Sequence, residues 1–153
     1  MESILAEQVR AQVHAFWKVY STKASGDFEG MYLPEATILE IDARRIEPAR
    51  LMVARREREL FSGSSSVSAD IGPIDVQILE PNIAVAAYGF RFHVVRVMAN
   101  GKRFESDMRV TRATHVFERG KDGLLRIIHE HMSSGTVSPP TEIPDKAGAK
   151  SEL

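Results

Sequence analysis

A change of hydrophobic periodicity partway along the chain constrains its fold more than any other sequence feature. Between Ile4 and Tyr20, apolar side chains recur every three or four residues, which predicts one amphipathic helix with Ser3 as its cap. From Ile74 onward, apolar and polar residues alternate, which predicts strands. Helices followed by a run of strands favour an α+β fold, in which the helices pack on one face of a sheet.

The segment between these two regions predicts three shorter elements. Asp27 is a candidate N-cap of a short second helix, and Pro34 is expected to end that helix. Residues 36–42 are predicted to form a strand. The proline in Glu47–Pro48 suits the first turn of a third helix, which we expect to run to about Phe61. Because the apolar stripe of this helix is patchy, we expect it to lie on the outside of the fold.

The strands that follow are long and are separated by recognisable turns. Residues 83–98 and 103–119 are predicted to pair, because Asn100-Gly101 between them is a strong hairpin signal. A last strand is expected over residues 124–132. Together these elements predict a cone-like α+β barrel. Its N-terminal helices would pack on a strongly curved mixed, mainly antiparallel sheet and enclose a pocket.

Length and composition limit the classes of function. The chain has 153 residues, which suits one domain, and we assign residues 1–136 to it and residues 137–153 to a flexible C-terminal tail. The formal net charge of −1 leaves no positive excess for binding nucleic acid. The chain has no cysteine, no signal-peptide pattern and no apolar run of the ~20 residues that span a bilayer. We therefore expect a cytoplasmic protein that binds neither nucleic acid nor membranes.

Two stretches of the chain follow a recognisable family pattern, one before the first strand and one in the last two strands. Their residues are Gly26-Asp27-Phe28, Met31-Tyr32, Glu35-Ala36-Thr37-Ile38, then 111–117 (TRATHVF), Asp122-Gly123 and 127–133 (IIHEHMS). Over about residues 3–136 the chain resembles the nuclear transport factor 2-like superfamily, especially its SnoaL-like members and the association domain of the calcium/calmodulin-dependent kinase. The resemblance implies the fold described above. It leaves the function open, because this scaffold hosts isomerases, cyclases, dehydratases, oligomerisation modules and transport factors.

The resemblance also selects Glu40 and His115 as candidate catalytic residues. In the ketosteroid isomerase branch, the general base lies five residues after an acidic residue, and here Glu35 is followed at that distance by Glu40. A carboxylate in an apolar pocket can move a proton beside a carbonyl. The alternative is that Glu40 is a solvated residue near a strand end. His115 matches the oxyanion-stabilising acid of the isomerase, and the alternative is a core histidine satisfied by a neighbour.

The remaining candidates are residues expected to line the pocket. Strand alternation puts His129 and His131 on one face of the last strand, and the hairpin register favours the other face, with Ile128, Glu130 and Met132, for the pocket. Two histidines need a third ligand to hold a metal, so we expect no metal and no other cofactor. The expected substrate-binding residues are Trp17, Tyr20, Tyr32, Phe90, Phe92, Phe117, Glu130 and Met132.

These candidates support two hypotheses about function. In the first, the protein is a cofactor-independent isomerase, cyclase or dehydratase that acts on a small, mostly apolar carbonyl compound. In the second, it is a non-catalytic module for binding a small ligand or for dimerisation. A homodimer through the outer sheet face is expected, because Ala87, Val95 and Val97 are too apolar to leave in water. The basic run from Arg44 to Arg58 is interleaved with glutamates and is interpreted as a solvated helix face.

Overall fold

The N-terminal helix forms as its periodicity predicts. A computed structural model describes residues 3–41, 43–61, 66–135 and 139–145, apart from the side chains of Ser25 and Arg109. Helix α1 spans Ile4–Thr22, and the Ser3 side chain caps it by accepting a hydrogen bond from the Ala6 amide at 3.1 Å. One face of α1 is buried, which confirms the amphipathic helix; its members are Leu5, Ala6, Val9, Val13, Phe16, Trp17 and Tyr20.

The next two elements differ from the predicted boundaries. Helix α2 spans Ser25–Glu29, so Asp27 lies inside the helix and does not cap it. Strand β1, Tyr32–Leu39, begins earlier than predicted and includes Pro34, while Asp42 lies outside the described residues. A proline is tolerated here because the register of β1 shifts between Tyr32 and Thr37, so its missing N–H breaks no regular pair.

The third helix corrects the prediction of an outer, solvated element. Strand β2, Glu47–Pro48, leads into helix α3, Ala49–Arg56, and the chain continues as a π-helical turn over Glu57–Phe61. Helix α3 buries one face, and that face includes Arg56, which is 4% exposed. The solvated interpretation is therefore wrong for Arg56, because its charge is balanced by the carboxylates of Glu40 and Glu130 and not by water.

The remaining strands form one sheet with β1 and β2. They are β3 (Ser66–Glu80), β4 (Ile83–Val97), β5 (Arg103–Arg119), β6 (Leu125–Ser134) and β7 (Thr141–Ile143). The strand order is β2-β1-β6-β5-β4-β3, and β7 pairs with β5. The β1–β6 pairing is parallel and the other pairings are antiparallel. The predicted α+β fold with a curved, mainly antiparallel mixed sheet is confirmed.

A bulge in the last strand decides which of its residues face the helices. Val116 pairs with His129 and Phe117 pairs with Ile127, so β6 carries one extra residue at Ile128. Beyond the bulge, Glu130 and Met132 are buried and His131 is exposed. Glu130 and Met132 therefore face the interior, as the hairpin register favours, whereas the expectation for Ile128 is wrong because the bulge turns it away from buried Ile127 and Glu130.

The segment assigned to the tail contributes to the sheet within its described part. Thr141–Ile143 pairs antiparallel with Arg103–Glu105, while residues 137, 138 and 146–153 lie outside the described residues. In the same described part of the chain, no helix is both long enough and apolar enough to cross a membrane.

Candidate functional site

A buried arginine joins two carboxylates from different parts of the fold. Arg56 ends α3, and its Nε and Nη2 donate to Oε2 of Glu40 at 2.9 and 2.8 Å. Nη2 also donates to Oε1 of Glu130 at 2.7 Å. The side chains of Arg56 and Glu130 are 5% and 0% exposed, whereas that of Glu40 is 24% exposed. The guanidinium therefore connects a partly exposed carboxylate just after β1 to a fully buried one on β6.

Two more side chains complete the surroundings of Glu130. The Tyr32 hydroxyl donates to Oε2 of Glu130 at 2.9 Å and accepts from Nη1 of Arg56 at 3.0 Å. Nε2 of His115 lies 3.1 Å from the same Oε2, because His115 and Glu130 are direct partners across β5 and β6. Both carboxylate oxygens are thus hydrogen-bonded, which a buried charge requires. We call Glu40, Arg56, Glu130, Tyr32 and His115 the charge cluster.

The contacts within this cluster reverse the effect of burial on Glu130. Burial by itself raises the pKa of a carboxyl group, but the Arg56 charge and the hydrogen bond from His115 lower the pKa of Glu130 to about 2. Burial by itself lowers the pKa of Arg56. The nearby Glu130, Tyr32 and Glu40 have the larger effect and raise the pKa of Arg56 well above its ordinary value. The pKa of Tyr32 is raised by burial first and then by the Glu130 charge. Glu130 and Arg56 are therefore both ionised at neutral pH.

The space between α1 and the sheet is packed with aromatic rings. The Trp17 ring centroid lies 4.6 Å from that of Phe90 and 5.9 Å from that of Phe92. The Trp17 indole N–H donates to the Tyr88 hydroxyl at 2.7 Å. All six aromatic residues expected to bind substrate are buried in this core: Trp17, Tyr20, Tyr32, Phe90, Phe92 and Phe117. Several of these rings also contact Phe16, Phe28 or Phe61, so the interior between α1 and the sheet is filled with aromatic side chains.

A cavity of about 490 Å³ opens beside this core. Of the residues expected to act in the site, Glu40 and Phe92 are in its wall, and so is Arg56. His115 is fully buried, and the described residues that line the cavity do not include it. The structure therefore does not bring Glu40 and His115 to one point in the cavity. It connects them indirectly, through Arg56 and Glu130.

The cavity wall combines balanced charges with an apolar surface. Three arginines and three glutamates line it, so their formal charges cancel. Two pairs neutralise each other, Arg55 with Glu47 at 3.2 Å and Arg56 with Glu40 at 2.8 Å. The apolar part of the wall includes Met52, Leu60, Phe92, Val94 and Met108. Such a surface suits a small molecule that has an apolar body and a polar group. Within the described ranges, no group of three or more histidine, aspartate or glutamate side chains could hold a metal ion.

Arg56 is the member of the charge cluster that the sequence pattern does not single out. Its charge suggested a solvated position within a basic run. A different signal was present, because Ala49, Met52, Val53 and Arg56 follow the spacing of one helical face, and all four are buried. The arginine at the fourth position of an otherwise apolar stripe would have predicted a buried cation and hence a buried carboxylate partner.

Helices packed on one face of a curled, mainly antiparallel sheet define the class of proteins with the nuclear transport factor 2-like fold. The chain has this fold, as the resemblance implies. No protein-family model matches the chain, and no curated protein matches it.

Three similar solved structures illustrate the range of proteins that share the fold. A nuclear transport factor 2-like protein with a cystatin-like fold from Novosphingobium aromaticivorans is 15% identical, with a TM-score of 0.61 over 86% of this chain and 83% of that one. The association domain of C. elegans CaMKII is 16% identical, with a TM-score of 0.64 over 85% and 95%. A hexachlorocyclohexane dehydrochlorinase is 8% identical, with a TM-score of 0.66 over 97% of each chain. At these identities the likeness shows the fold.

Proposed function

We propose that the protein binds a small carbonyl compound in the cavity and acts on it as a cofactor-independent isomerase, cyclase or dehydratase. The observation that carries this proposal is the position of Glu40, in the cavity wall with its carboxylate fixed by two N–H donors of Arg56. A fixed carboxylate can take a proton from the carbon beside a carbonyl and return it elsewhere on the molecule. The cavity volume of about 490 Å³ falls within the roughly 300–1,000 Å³ of ligand pockets.

In this proposal His115 positions other groups and does not touch the substrate. Its Nε2 faces Glu130, and its ring packs against Phe16 with centroids 4.9 Å apart. It would hold Glu130, which holds Arg56, which in turn orients Glu40. The developing negative charge on the substrate oxygen would then be stabilised by a cation of the cavity wall. The hexachlorocyclohexane dehydrochlorinase supports an enzymatic role, since its name describes an elimination on the same fold.

Exchange of carbon-bound protons tests the proposal without knowledge of the natural substrate. Phenylacetone, 2-tetralone and 2-cyclohexenone would be incubated in D2O, and the loss of protons beside the carbonyl would be followed by NMR. We expect the protein to accelerate exchange of at least one ketone, and Glu40→Gln to lower that acceleration about 100-fold or more. The matched control is Glu118→Gln, an exposed glutamate on β5 that should leave the rate unchanged. Equal rates for Glu40→Gln and the unmodified protein would exclude Glu40 as the base.

A second candidate function is association with another copy of the chain through the outer face of the sheet. Val85 and Val116 are direct partners on β4 and β5, and with Ile128 on β6 they form a half-buried apolar patch on that face. The likeness to the C. elegans association domain favours the same idea.

Mass measurement in solution tests this second function. We expect a dimer by light scattering coupled to size-exclusion chromatography, and a monomer for Val116→Glu. Leu51→Glu is the control, because Leu51 is 53% exposed on α3, away from the outer face of the sheet. A monomer for the unmodified protein at micromolar concentration would contradict the proposal.

A further inference from the structure

We infer that the cavity takes a small monocarboxylic acid with an apolar body, and that Arg96 binds its carboxylate. This inference rests on the proposed function of the cavity, since it names the class of molecule that the cavity receives. It starts from the charges of the cavity wall that no neighbouring side chain neutralises.

Arg96 lies at the end of an apolar row on β4. Phe92, Val94 and Arg96 are two residues apart, so they share one face of the strand, and all three line the cavity. A ligand lying along this row would place hydrocarbon against Phe92 and Val94 and its polar end at the guanidinium. The row therefore selects molecules that are apolar along their length and charged at one end.

The guanidinium of Arg96 is available, whereas those of the other two cavity arginines are engaged. Arg55 is paired with Glu47 and Arg56 with Glu40. Among the residues that the structure describes, none forms a hydrogen bond or ion pair with Arg96. An anion bound at Arg96 would therefore gain an ion pair without breaking an existing one.

A hydroxyl group lies close to the same end of the cavity. Ser106 on β5 is the direct partner of Val94, which makes it the diagonal neighbour of Arg96, and it lines the cavity. A guanidinium presents a planar fork of donors and a serine adds one more, which together match the two oxygens of a carboxylate.

The pairing of charges in the wall favours a ligand with a single negative charge. Arg96 is the one cavity arginine without a partner among the described residues, so a dianion such as a phosphate monoester would keep one charge uncompensated. Glu59 is the second wall charge without a partner among the described residues, and it would favour a cationic ligand. The carboxylate is favoured over the amine because Arg96 ends the apolar row and the Ser106 hydroxyl beside it offers a second donor.

Three probes of the same shape test this inference by calorimetric or NMR titration at low salt. They are phenylacetate, its neutral analogue phenylacetamide, and the cation phenethylamine. We expect phenylacetate to bind about tenfold more tightly than phenylacetamide, and Arg96→Ala to abolish this difference without weakening phenylacetamide. Arg96→Lys should retain part of the difference. The matched control is Arg112→Ala, because Arg112 is exposed on the outer face of β5.

Several outcomes would overturn the inference. They are equal affinity for phenylacetate and phenylacetamide, an unchanged preference in Arg96→Ala, and no binding of any probe at millimolar concentration. Preference for phenethylamine, lost in Glu59→Gln, would assign the cavity to cations instead.

The failure of this inference can be distinguished from the failure of the proposed function. Phenylacetate binding through Arg96, with ketone exchange unaffected by Glu40→Gln, would leave the ligand class standing and remove the enzymatic proposal. Ketone exchange that depends on Glu40, with no preference for phenylacetate, would do the reverse.

Discussion

The guanidinium of Arg56 and the carboxylate of Glu130 lie 2.7 Å apart inside the protein, although 74 residues separate them along the chain. The contact joins the end of α3 to β6, and Glu40 extends it to the cavity wall. The stability of the fold and the geometry of the proposed site therefore depend on the same pair.

Loss of the cation should be strongly destabilising. Arg56→Met leaves Glu130 buried without its main counter-charge, which costs about 3–5 kcal/mol in the free energy of unfolding. Arg55→Met is the control, since the Arg55 side chain is 44% exposed and its pair with Glu47 should contribute less than about 1 kcal/mol. Urea denaturation of both variants measures the difference. Adding Glu130→Leu to Arg56→Met should recover part of the loss, and similar losses for the two single variants would contradict the prediction.

Acid should weaken the fold through Glu130. Its pKa falls from an ordinary 4.5 to about 2, because Arg56 and His115 stabilise the ionised form more than burial destabilises it. Because the pKa of Glu130 is lower in the folded state, its ionisation stabilises the fold at pH values above the unfolded pKa. This contribution is lost as the pH falls from about 4.5 towards 2. The contribution is on the order of 3 kcal/mol. Denaturant unfolding at several pH values measures it, and Glu130→Gln should flatten the dependence over this range. A slope that is identical in the variant would refute the assignment to Glu130.

The tyrosines should resist ionisation in the folded protein. Tyr20, Tyr32 and Tyr88 are the three tyrosines of the chain, and burial raises the pKa of each above its ordinary 10.0. The unfolded state loses these protons at pH values where the folded state keeps them, so stability should decline as the pH rises above 10.0. Ultraviolet titration of tyrosinate, with and without guanidinium chloride, checks this. Ionisation of a tyrosine near its ordinary pKa before unfolding would contradict it.

The single tryptophan reports on the aromatic core. Tyr88→Phe removes the oxygen that accepts the Trp17 indole N–H at 2.7 Å and leaves a buried donor without its partner. We expect the free energy of unfolding to fall by about 1–3 kcal/mol. The fluorescence of Trp17 monitors unfolding in the denaturation experiment. The control is Tyr88→Phe in a Trp17→Phe background, in which no indole N–H remains to be left unpaired. Circular dichroism monitors the unfolding of these variants. An equal loss in both backgrounds would show that the hydrogen bond contributes little.

The elements that the sequence predicts well are those with strong local patterns. Residues 83–98 and 103–119 were expected as strands, and the structure has Ile83–Val97 and Arg103–Arg119. Alternation and the Asn100-Gly101 turn are properties of neighbouring residues, so they can be recognised without tertiary contacts. The start of β1 was missed because Pro34 normally disfavours a strand, and only the irregular pairing with β6 makes room for it.

The candidate site was predictable in part. The sequence indicates single residues of the site, but it does not indicate which side chains contact one another. Glu40 was selected through the family resemblance and lines the cavity, but Arg56 was not expected beside it. The sequence predicts that the aromatic residues surround a ligand, whereas the fold packs Tyr20, Phe90 and Phe92 against the ring of Trp17. Whether an inward-facing ring meets a ligand or another ring depends on the distance between helix and sheet, which no local pattern encodes.

By itself the sequence determined the α+β class, the long helix and the long hairpin. These features follow from the hydrophobic period of 3.6 residues in a helix, the period of two residues in a strand, and the residues of tight turns. Each of these signals involves only residues that are close together in the sequence. Only the tertiary structure decided that Arg56 is buried, that His115 is bonded to Glu130, and that Glu40 reaches the cavity. Those relationships depend on the parallel pairing of β1 with β6 and on the bulge at Ile128, which set the positions of residues far apart along the chain. A buried charge is stable only where such pairing supplies its partner, so its position cannot be predicted before the partner is known.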